Sequence, residues 1–194
     1  MIMKPYTITG AKTIEGTCKT SNLDFKDATY IDKKGNEQHW QFVSRTGGKK
    51  AVTMACKTAD GRFVVIRQPR VPMNGKVVWS FPAGLMDQGE TPEATAKREM
   101  KEETGYDADI VSTSHPLSKS AGLTDETNIF VECKLGGKGK PELESTENIK
   151  TRLMKPSAII KLGKALKPVE EYMSNDLWTY MSGIVSRSRK KGTS

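Results

Sequence analysis

The most constraining feature of this chain is a run of glycines and charged residues at fixed spacings. The run contains, in chain order, Gly84, Glu90, Arg98, Glu99, Glu102, Glu103 and Gly105. Thr91 can cap a helix, Pro92 suits the first helical position, and Gly105 suits a left-handed stop. The residues between are mostly alanine and straight-chain types, which favour helix. The sequence therefore predicts one helix over residues 92–104, about three to four turns long.

Three carboxylates share one face of this predicted helix. Glu99, Glu102 and Glu103 stand at positions i, i+3 and i+4, and such residues are neighbours on a helix surface. Their charges repel one another, and a hard divalent cation with oxygen ligands would offset that repulsion. The face therefore predicts an Mg²⁺ site, with Mn²⁺ as the alternative.

The residues around this face distinguish a metal site from a solvated acidic surface. On a solvated acidic helix face, the glutamates would form i, i+4 pairs with Lys97 and Lys101. Instead, two glycines flank the segment, and Arg98 can hold Glu90 by a two-pronged ion pair that fixes the loop over the helix. This context favours the metal site.

The spacing G-x5-E-x7-R-E-U-x-E-E-x-G-U, with U a bulky residue, resembles the Nudix box. That box marks hydrolases that cut nucleoside diphosphates linked to another group. Every fixed position is occupied here. The flanks are similar to the ADP-ribose pyrophosphatase branch over about residues 22–186. The segments that carry this similarity are 67–73, 79–84, 120–126 and 144–154.

The resemblance implies roles for the substrate-binding residues. Members of the branch are usually homodimers whose N-terminal hairpins complete the base pocket of the partner. Trp40 would stack on the nucleobase, and Arg45 and Arg70 would hold the diphosphate. Leu85 belongs to the same implied substrate-binding set.

The resemblance also implies roles for the metal and catalytic residues. Glu99 and Glu103 would be the main metal ligands, joined by the backbone carbonyl of Ala83. Glu102 would share a second or third ion, and both Glu102 and Arg98 belong to the implied catalytic set. Residues 144–154 resemble the acidic loop of the branch and the strand that follows it. The activating glutamate lies on that loop, where Glu147 is the first candidate and Glu144 the second.

Three positions depart from the pattern of this branch. The glutamate common before the apolar-Pro-Ala-Gly run is Ser80. The proline that marks ADP-ribose specificity is Ala121. A second stacking tryptophan is expected upstream of Tyr30, but Asn22 or Phe25 lies there instead. These departures affect the base and sugar pocket and leave the box complete.

The remaining pattern predicts the fold: an α/β/α sandwich around a mixed sheet, with an N-terminal β hairpin appendage. We expect an N-terminal β region at 1–46, a hydrolase domain at 47–186 and a disordered basic tail at 187–194. The predicted elements are a hairpin at 24–46, strands near 50–57, 62–68, 76–81, 108–114, 128–135 and 149–154, a flexible loop at 136–141, and helices at 157–165 and 174–186. The strand ending at Met154 is expected to be the last.

Composition bounds the remaining classes. At 194 residues the chain fits one domain. Its net charge of +8 fits a polyanionic substrate or nucleic acid. No long apolar run or signal-peptide pattern is present, so we expect a cytoplasmic protein without a membrane partner. Cys18, Cys56 and Cys133 have no CxxC spacing and are expected to be reduced thiols. His39 and His115 are isolated and are expected to be ordinary polar residues.

The sequence therefore predicts Mg²⁺-dependent hydrolysis of a nucleoside diphosphate sugar to a nucleoside monophosphate and a sugar phosphate. One alternative is a Nudix hydrolase of dinucleoside polyphosphates or RNA 5′ ends, which the basic tail favours slightly and the flanks oppose. Nucleic acid is therefore not the expected partner. Another is a non-catalytic nucleotide or RNA sensor on the same scaffold, which the complete set of box glutamates opposes.

Overall fold

The structure, a computed structural model, describes residues 7–13, 22–167 and 170–191. The described strands are β1 (Thr7–Thr13), β2 (Leu23–Ile31), β3 (Glu37–Arg45), β4 (Ala51–Lys57), β5 (Phe63–Pro69), β6 (Val77–Ser80), β7 (Ala83–Leu85), β8 (Tyr106–Thr113), β9 (Leu117–Ser118), β10 (Thr127–Lys138), β11 (Lys150–Met154) and β12 (Glu171–Met173). The described helices are α1 (Pro92–Thr104), α2 (Pro156–Ala165) and α3 (Asn175–Lys191). The chain divides into two compact units, Met1–Ala51 with Pro116–Asn128, and Val52–His115 with Ile129–Ser194.

The second unit is built on a mixed sheet. Its strands run in the order β12-β6-β5-β4-β10-β8, with β11 beside β5 and β7 beside β4. β12 pairs with β6 in parallel, whereas β5 pairs antiparallel with both β6 and β11. The β7 pairing brings the chain to the start of the charged segment, so this sheet positions the helix that follows.

Helices cover both faces of that sheet. Along β4, Val52 and Met54 belong to the cluster that contains Ala96 and Met100 of α1. Ala55 belongs instead to the cluster with residues of α2 and α3. Successive strand residues point to opposite faces, so one strand serves both cores. The predicted α/β/α sandwich around a mixed sheet is confirmed.

The first unit contains a three-stranded antiparallel sheet in the order β1-β2-β3. The predicted hairpin is confirmed as β2 and β3, and its turn places Gly35 at φ +86°. That positive φ is open to glycine without steric cost. β1 lies within the predicted β region at 1–46 but was not among the individual strands predicted. It pairs with β2 through a register shift between Ile8 and Gly10.

Two predicted boundaries were wrong at the C-terminal end. The strand ending at Met154 is not the last, because β12 follows it and pairs with β6. The predicted disordered tail is also wrong as far as Lys191, because α3 continues to that residue. Arginine and lysine are good helix formers, and their charge is favourable near a helix C-terminus.

The predicted loop at 136–141 was wrong at its start. β10 continues to Lys138, which pairs with Tyr106 of β8. A Cβ at Gly136 would lie 3.1 Å from the Asp107 Cβ. Glycine at this position therefore reflects a close approach between strands.

The prediction of reduced thiols was wrong for two cysteines. Cys56 of β4 and Cys133 of β10 form a disulfide, with their Cα atoms 4.4 Å apart. The two strands are neighbours in the sheet, a relationship that separation along the chain does not reveal. Cys18 lies outside the described residues.

The described helices include none with the length and apolar character needed to cross a membrane.

Candidate active site

Helix α1 positions the charged residues of the box, and its ends follow local capping chemistry. The Thr91 side chain accepts a hydrogen bond of 3.2 Å from the Ala94 amide, and Pro92 is the first helical residue. Gly105 ends the helix at φ +76°, and its amide donates to the Lys101 carbonyl. The predicted helix over 92–104 is confirmed at both ends.

The three carboxylates of α1 differ in their burial. Glu103 is buried, and burial raises its pKa to about 8, helped by the charges of Glu99 and Glu147. Burial also raises the pKa of Glu99, with further contributions from Glu102 and Glu147. Glu102 is more open, with a side chain 41% exposed. The site therefore places carboxyl groups where water cannot fully solvate their charged forms.

The backbone before the box supports the two more buried carboxylates. The Glu103 carboxylate accepts a hydrogen bond of 3.2 Å from the Ala83 amide of β7. The Glu99 carboxyl lies against Gly84, and a Cβ at Gly84 would overlap it. A side chain at position 84 would therefore displace the Glu99 carboxyl from its present place.

Arg98 is the centre of the charged network. Its Nε and Nη2 donate to the two oxygens of Glu90, both at 2.9 Å. Its Nη1 donates to Glu99 at 2.9 Å and to Glu102 at 3.0 Å. Hydrogen bonding from Arg98 is the largest cause that lowers the pKa of Glu90 to about 2. The predicted two-pronged pair is therefore present, and Arg98 also contacts the carboxylate face.

The acidic loop brings a further carboxylate into electrostatic reach of α1. Glu147 is half-buried, whereas Glu144 is exposed. The Glu147 carboxylate accepts a hydrogen bond of 3.0 Å from the Glu144 amide, and the Glu147 amide donates 3.0 Å to the Glu144 carbonyl. The Glu147 charge raises the pKa values of Glu99 and Glu103. Of the two candidates for the base, Glu147 is therefore coupled to the α1 carboxylates.

Arg70 contributes positive charge to the same site. It is exposed, and its charge lowers the pKa of Glu103 against the other effects. The buried amide of Gln68, with its oxygen turned to Arg70, accepts 2.7 Å from Nη2 and 3.2 Å from Nε. Sequence reasoning missed Gln68. The available signal was its position two residues before Arg70, because alternate residues share one face of a strand.

The carboxylate set suits a hard divalent cation by its donor chemistry. Within 7–13, 22–167 and 170–191, no group of three acidic, histidine or cysteine side chains is drawn together tightly enough to hold a metal ion. Two of the α1 carboxylates are hydrogen-bonded to Arg98. The crowded, poorly solvated oxygens of Glu99 and Glu103 nevertheless match the ligands that Mg²⁺ and Mn²⁺ prefer.

Comparison with known families decides the class of this site. The family model described as NUDIX domain matches residues 48–175, which is more than half of the chain. The chain belongs to the Nudix family. The segment from Gly84 to Tyr106 carries the pattern of the Nudix box.

Similar proteins place this Nudix hydrolase near one branch of the family. It is 34% identical over 123 residues to a protein of Mus musculus named ADP-sugar pyrophosphatase, which covers 59% of this chain and 56% of that protein. It is 32% identical to a protein of Bacillus subtilis named ADP-ribose pyrophosphatase, covering 78% and 77% of the two chains. A Saccharomyces cerevisiae protein with the same name is 30% identical, covering 71% and 65%. The chain thus spans less than two thirds of the mouse and yeast proteins.

A solved structure described as an ADP compounds hydrolase has the same fold. The TM-score is 0.73 at 17% sequence identity, covering 100% of this chain and 98% of that chain. This agreement supports the Nudix fold. The relationship to ADP-ribose and ADP-sugar pyrophosphatases comes from the sequence comparisons.

The predicted substrate residues fall in both units of the Nudix hydrolase. Arg70, Ala83 and Leu85 belong to the second unit with the box, and Trp40 and Arg45 belong to the first. The Leu85 carbonyl accepts a hydrogen bond of 3.1 Å from Arg98 Nη2. The substrate roles of these residues remain predictions.

In the first unit, Trp40 and Arg45 contact the loop 120–126. The Trp40 indole, 51% exposed, donates 3.3 Å to the Gly122 carbonyl. The Arg45 Nε donates 2.8 Å to Glu126. The Ser44 hydroxyl donates 2.9 Å to Asp125. Sequence reasoning missed these loop contacts, since the partners lie about eighty positions apart in the chain.

Proposed function

We propose that this Nudix hydrolase cleaves the diphosphate of nucleoside diphosphate sugars, giving a nucleoside monophosphate and a sugar phosphate. The observation that carries the proposal is the electrostatic coupling of Glu99, Glu103 and Glu147, with the charge of Arg70 acting on Glu103. A cluster of acidic oxygens beside an arginine is suited to a substrate that presents phosphates together with a cation. The names of the relatives in mouse, yeast and Bacillus subtilis support a sugar or ribose as the second group.

The cofactor that we propose is Mg²⁺, with Mn²⁺ as the alternative. Glu99 and Glu103 would be the main ligands, the Ala83 carbonyl would join them, and Glu102 would share a further ion. When bound, the cation neutralises phosphate charge and lowers the pKa of a bound water. The placement of the Glu103 carboxylate at the Ala83 amide, with the Glu99 carboxyl against Gly84, supports this assignment.

The chain's own residues would act on the water and on the diphosphate. Glu147 would orient a water and take its proton as the water oxygen bonds to phosphorus and the bridging phosphorus–oxygen bond breaks. Its coupling to Glu99 and Glu103 favours it over exposed Glu144, which stays the second candidate. Arg70 would hold the diphosphate, and its planar guanidinium suits phosphate oxygens.

We propose a homodimer in which Trp40 stacks on the nucleobase, as the resemblance implies. The exposure of Trp40 and Phe25, at 51% and 42%, is consistent with surfaces that meet a ligand or a second chain. Arg45 would contact the diphosphate through guanidinium nitrogens other than the Nε that binds Glu126. Sedimentation tests the dimer, and a stable, fully active monomer would contradict it.

A substrate panel with Mg²⁺, read by mass spectrometry, tests the reaction. The panel would contain ADP-ribose, ADP-glucose, GDP-mannose, UDP-glucose, NADH, diadenosine polyphosphates and 5′-triphosphorylated RNA. Cleavage confined to the nucleoside diphosphate sugars supports the proposal, and their ranking shows the effect of Ser80 and Ala121. Turnover only of RNA or dinucleotides would contradict it, as would binding without turnover of any member.

A further inference from the structure

The C-terminal end of α1 is hydrogen-bonded to the segment 139–142, which leads into the acidic loop. The Gly139 amide donates a hydrogen bond of 2.7 Å to the Gly105 carbonyl. The Glu142 amide donates 2.9 Å to the Glu102 carbonyl, one of the last carbonyls of the helix. These carbonyls have no partner within a helix, so the loop backbone satisfies them.

The approach at Gly105 is close enough to exclude any side chain. A Cβ at Gly105 would lie 2.6 Å from the Gly139 carbonyl oxygen and 3.0 Å from both the Lys140 carbonyl carbon and the Pro141 nitrogen. All three contacts are to backbone, which cannot swing away as the end of a long side chain can. Gly105 therefore has a second constraint besides its positive φ.

The segment 139–142 leads directly to Glu147, the proposed base. Glu147 lies five positions after Glu142. Two hydrogen bonds between Glu144 and Glu147, one between backbone groups and one to the Glu147 carboxylate, close the turn that holds this carboxylate. After Glu147, β11 begins at Lys150 and pairs with β5. The loop is thus held at α1 on one side and at the sheet on the other.

We propose that Gly105 and Gly139 are positioning residues, which set the acidic loop carrying Glu147 relative to the carboxylates of α1. The inference rests on the proposed function, in which Glu147 activates water. The two glycines do not contact substrate; they act by setting the position of the loop that carries Glu147. Displacing the Gly139 carbonyl by a few tenths of an ångström or more would move the proposed base relative to Glu99 and Glu103.

The substitution Gly105→Asn tests the contact separately from backbone strain. Asparagine tolerates the left-handed conformation, yet its Cβ would still meet the Gly139 carbonyl. Gly61→Asn is the matched control, because Gly61 has φ +80° with nothing within 4 Å of an added Cβ. We expect Gly105→Asn to lower kcat by ~10–100-fold through misplacement of a reacting group. KM should stay within about twofold, as expected when binding is retained, and Gly61→Asn should leave both constants unchanged.

A double-mutant cycle with Glu147→Gln decides whether Gly105 acts through Glu147. If it does, Gly105→Asn should cause little further loss of kcat in the Glu147→Gln background. An equal fractional loss in both backgrounds would overturn the proposal, because it would show general damage. An unchanged kcat in Gly105→Asn alone would also overturn it.

A second variant and a hydrogen-exchange measurement cover the cases in which Gly105→Asn does not fold or the wild type shows no turnover. If Gly105→Asn fails to fold, Glu142→Pro removes the amide that binds the Glu102 carbonyl, and an unchanged kcat would overturn the proposal. If the wild type cleaves no substrate of the panel, the proposed function fails separately. Amide hydrogen exchange of residues 139–147 then tests whether the contacts with the end of α1 hold this segment in place. Faster exchange in Gly105→Asn than in Gly61→Asn supports the proposal, and equal exchange contradicts it.

Discussion

Arg98 and Glu90 face each other through two parallel hydrogen bonds, each 2.9 Å long, between a guanidinium fork and a carboxylate. Such a geometry fixes both distance and orientation. The remaining guanidinium nitrogen turns to Glu99 and Glu102, while Nη2 also reaches the Leu85 carbonyl. One side chain therefore joins the loop before α1 to the carboxylate face.

Arg98→Lys should destabilise the protein, because an ammonium cannot reproduce the fork. We expect a loss of about 1–2 kcal/mol in the free energy of unfolding, measured with urea. Arg62→Lys is the control, because the Arg62 and Asp60 side chains of that pair are 43% and 54% exposed. Its expected loss is below about 0.5 kcal/mol. Equal losses in the two variants would show that the Arg98 network adds no particular stability.

Glu90 gives the protein a specific dependence on acid. Its pKa is about 2 in the folded state, against 4.5 as the ordinary value. A lowered pKa contributes stability that is present above pH 4.5 and is lost as pH falls towards 2. The free energy of unfolding of the wild type should therefore fall more steeply over this window than that of Glu90→Gln. Parallel curves for the two proteins would refute the coupling.

Gly84→Ala should impair catalysis without backbone strain. Gly84 has no positive φ, but an added Cβ would overlap the Glu99 carboxyl. Displacing a metal-ligand candidate should lower metal affinity or activity by about 10–100-fold. Gly183→Ala is the control, since nothing lies within 4 Å of its Cβ position. An activation curve against Mg²⁺ that is the same for Gly84→Ala and Gly183→Ala would contradict the role of this close approach.

The two candidates for the base can be separated by kcat. Glu147→Gln should lower kcat by ~10²–10⁴-fold, the usual cost of losing a general base. Glu144→Gln should have a much smaller effect, because the contact that Glu144 supplies to Glu147 comes from its backbone amide. A larger loss in Glu144→Gln would transfer the role of base to Glu144.

The sequence predicted most accurately what is determined locally. Helix α1 matches its predicted bounds because Thr91, Pro92 and Gly105 act within one turn of the helix ends. The pair of Arg98 and Glu90 was predictable for the same reason, as both residues lie in one short motif. The predicted strand near 50–57 also agrees with β4 (Ala51–Lys57).

What the sequence did not predict depends on partners that are distant in the chain. The short strand Glu171–Met173 is defined by its pairing with β6, and three residues carry no periodic signal. The disulfide between Cys56 and Cys133 spans 77 positions. The contact of Gly105 with Gly139 depends on a return of the chain after three strands, β8 to β10. Spacing along the chain contains no information on such meetings until the fold is known.

The role of the α1 carboxylates is tested by comparing the wild type with Glu103→Gln, using ADP-ribose and a range of Mg²⁺ concentrations. Because burial disfavours the charged Glu103, the amide should keep or raise the free energy of unfolding. We expect the wild type to release AMP and ribose 5-phosphate, and the variant to lose at least about 100-fold in kcat/KM, as for several kcal/mol of lost charge stabilisation. Glu93→Gln, at the first turn of α1, should behave as the wild type. A folded Glu103→Gln protein that retained full Mg²⁺-dependent activity would contradict the assignment of this carboxylate cluster as the active site.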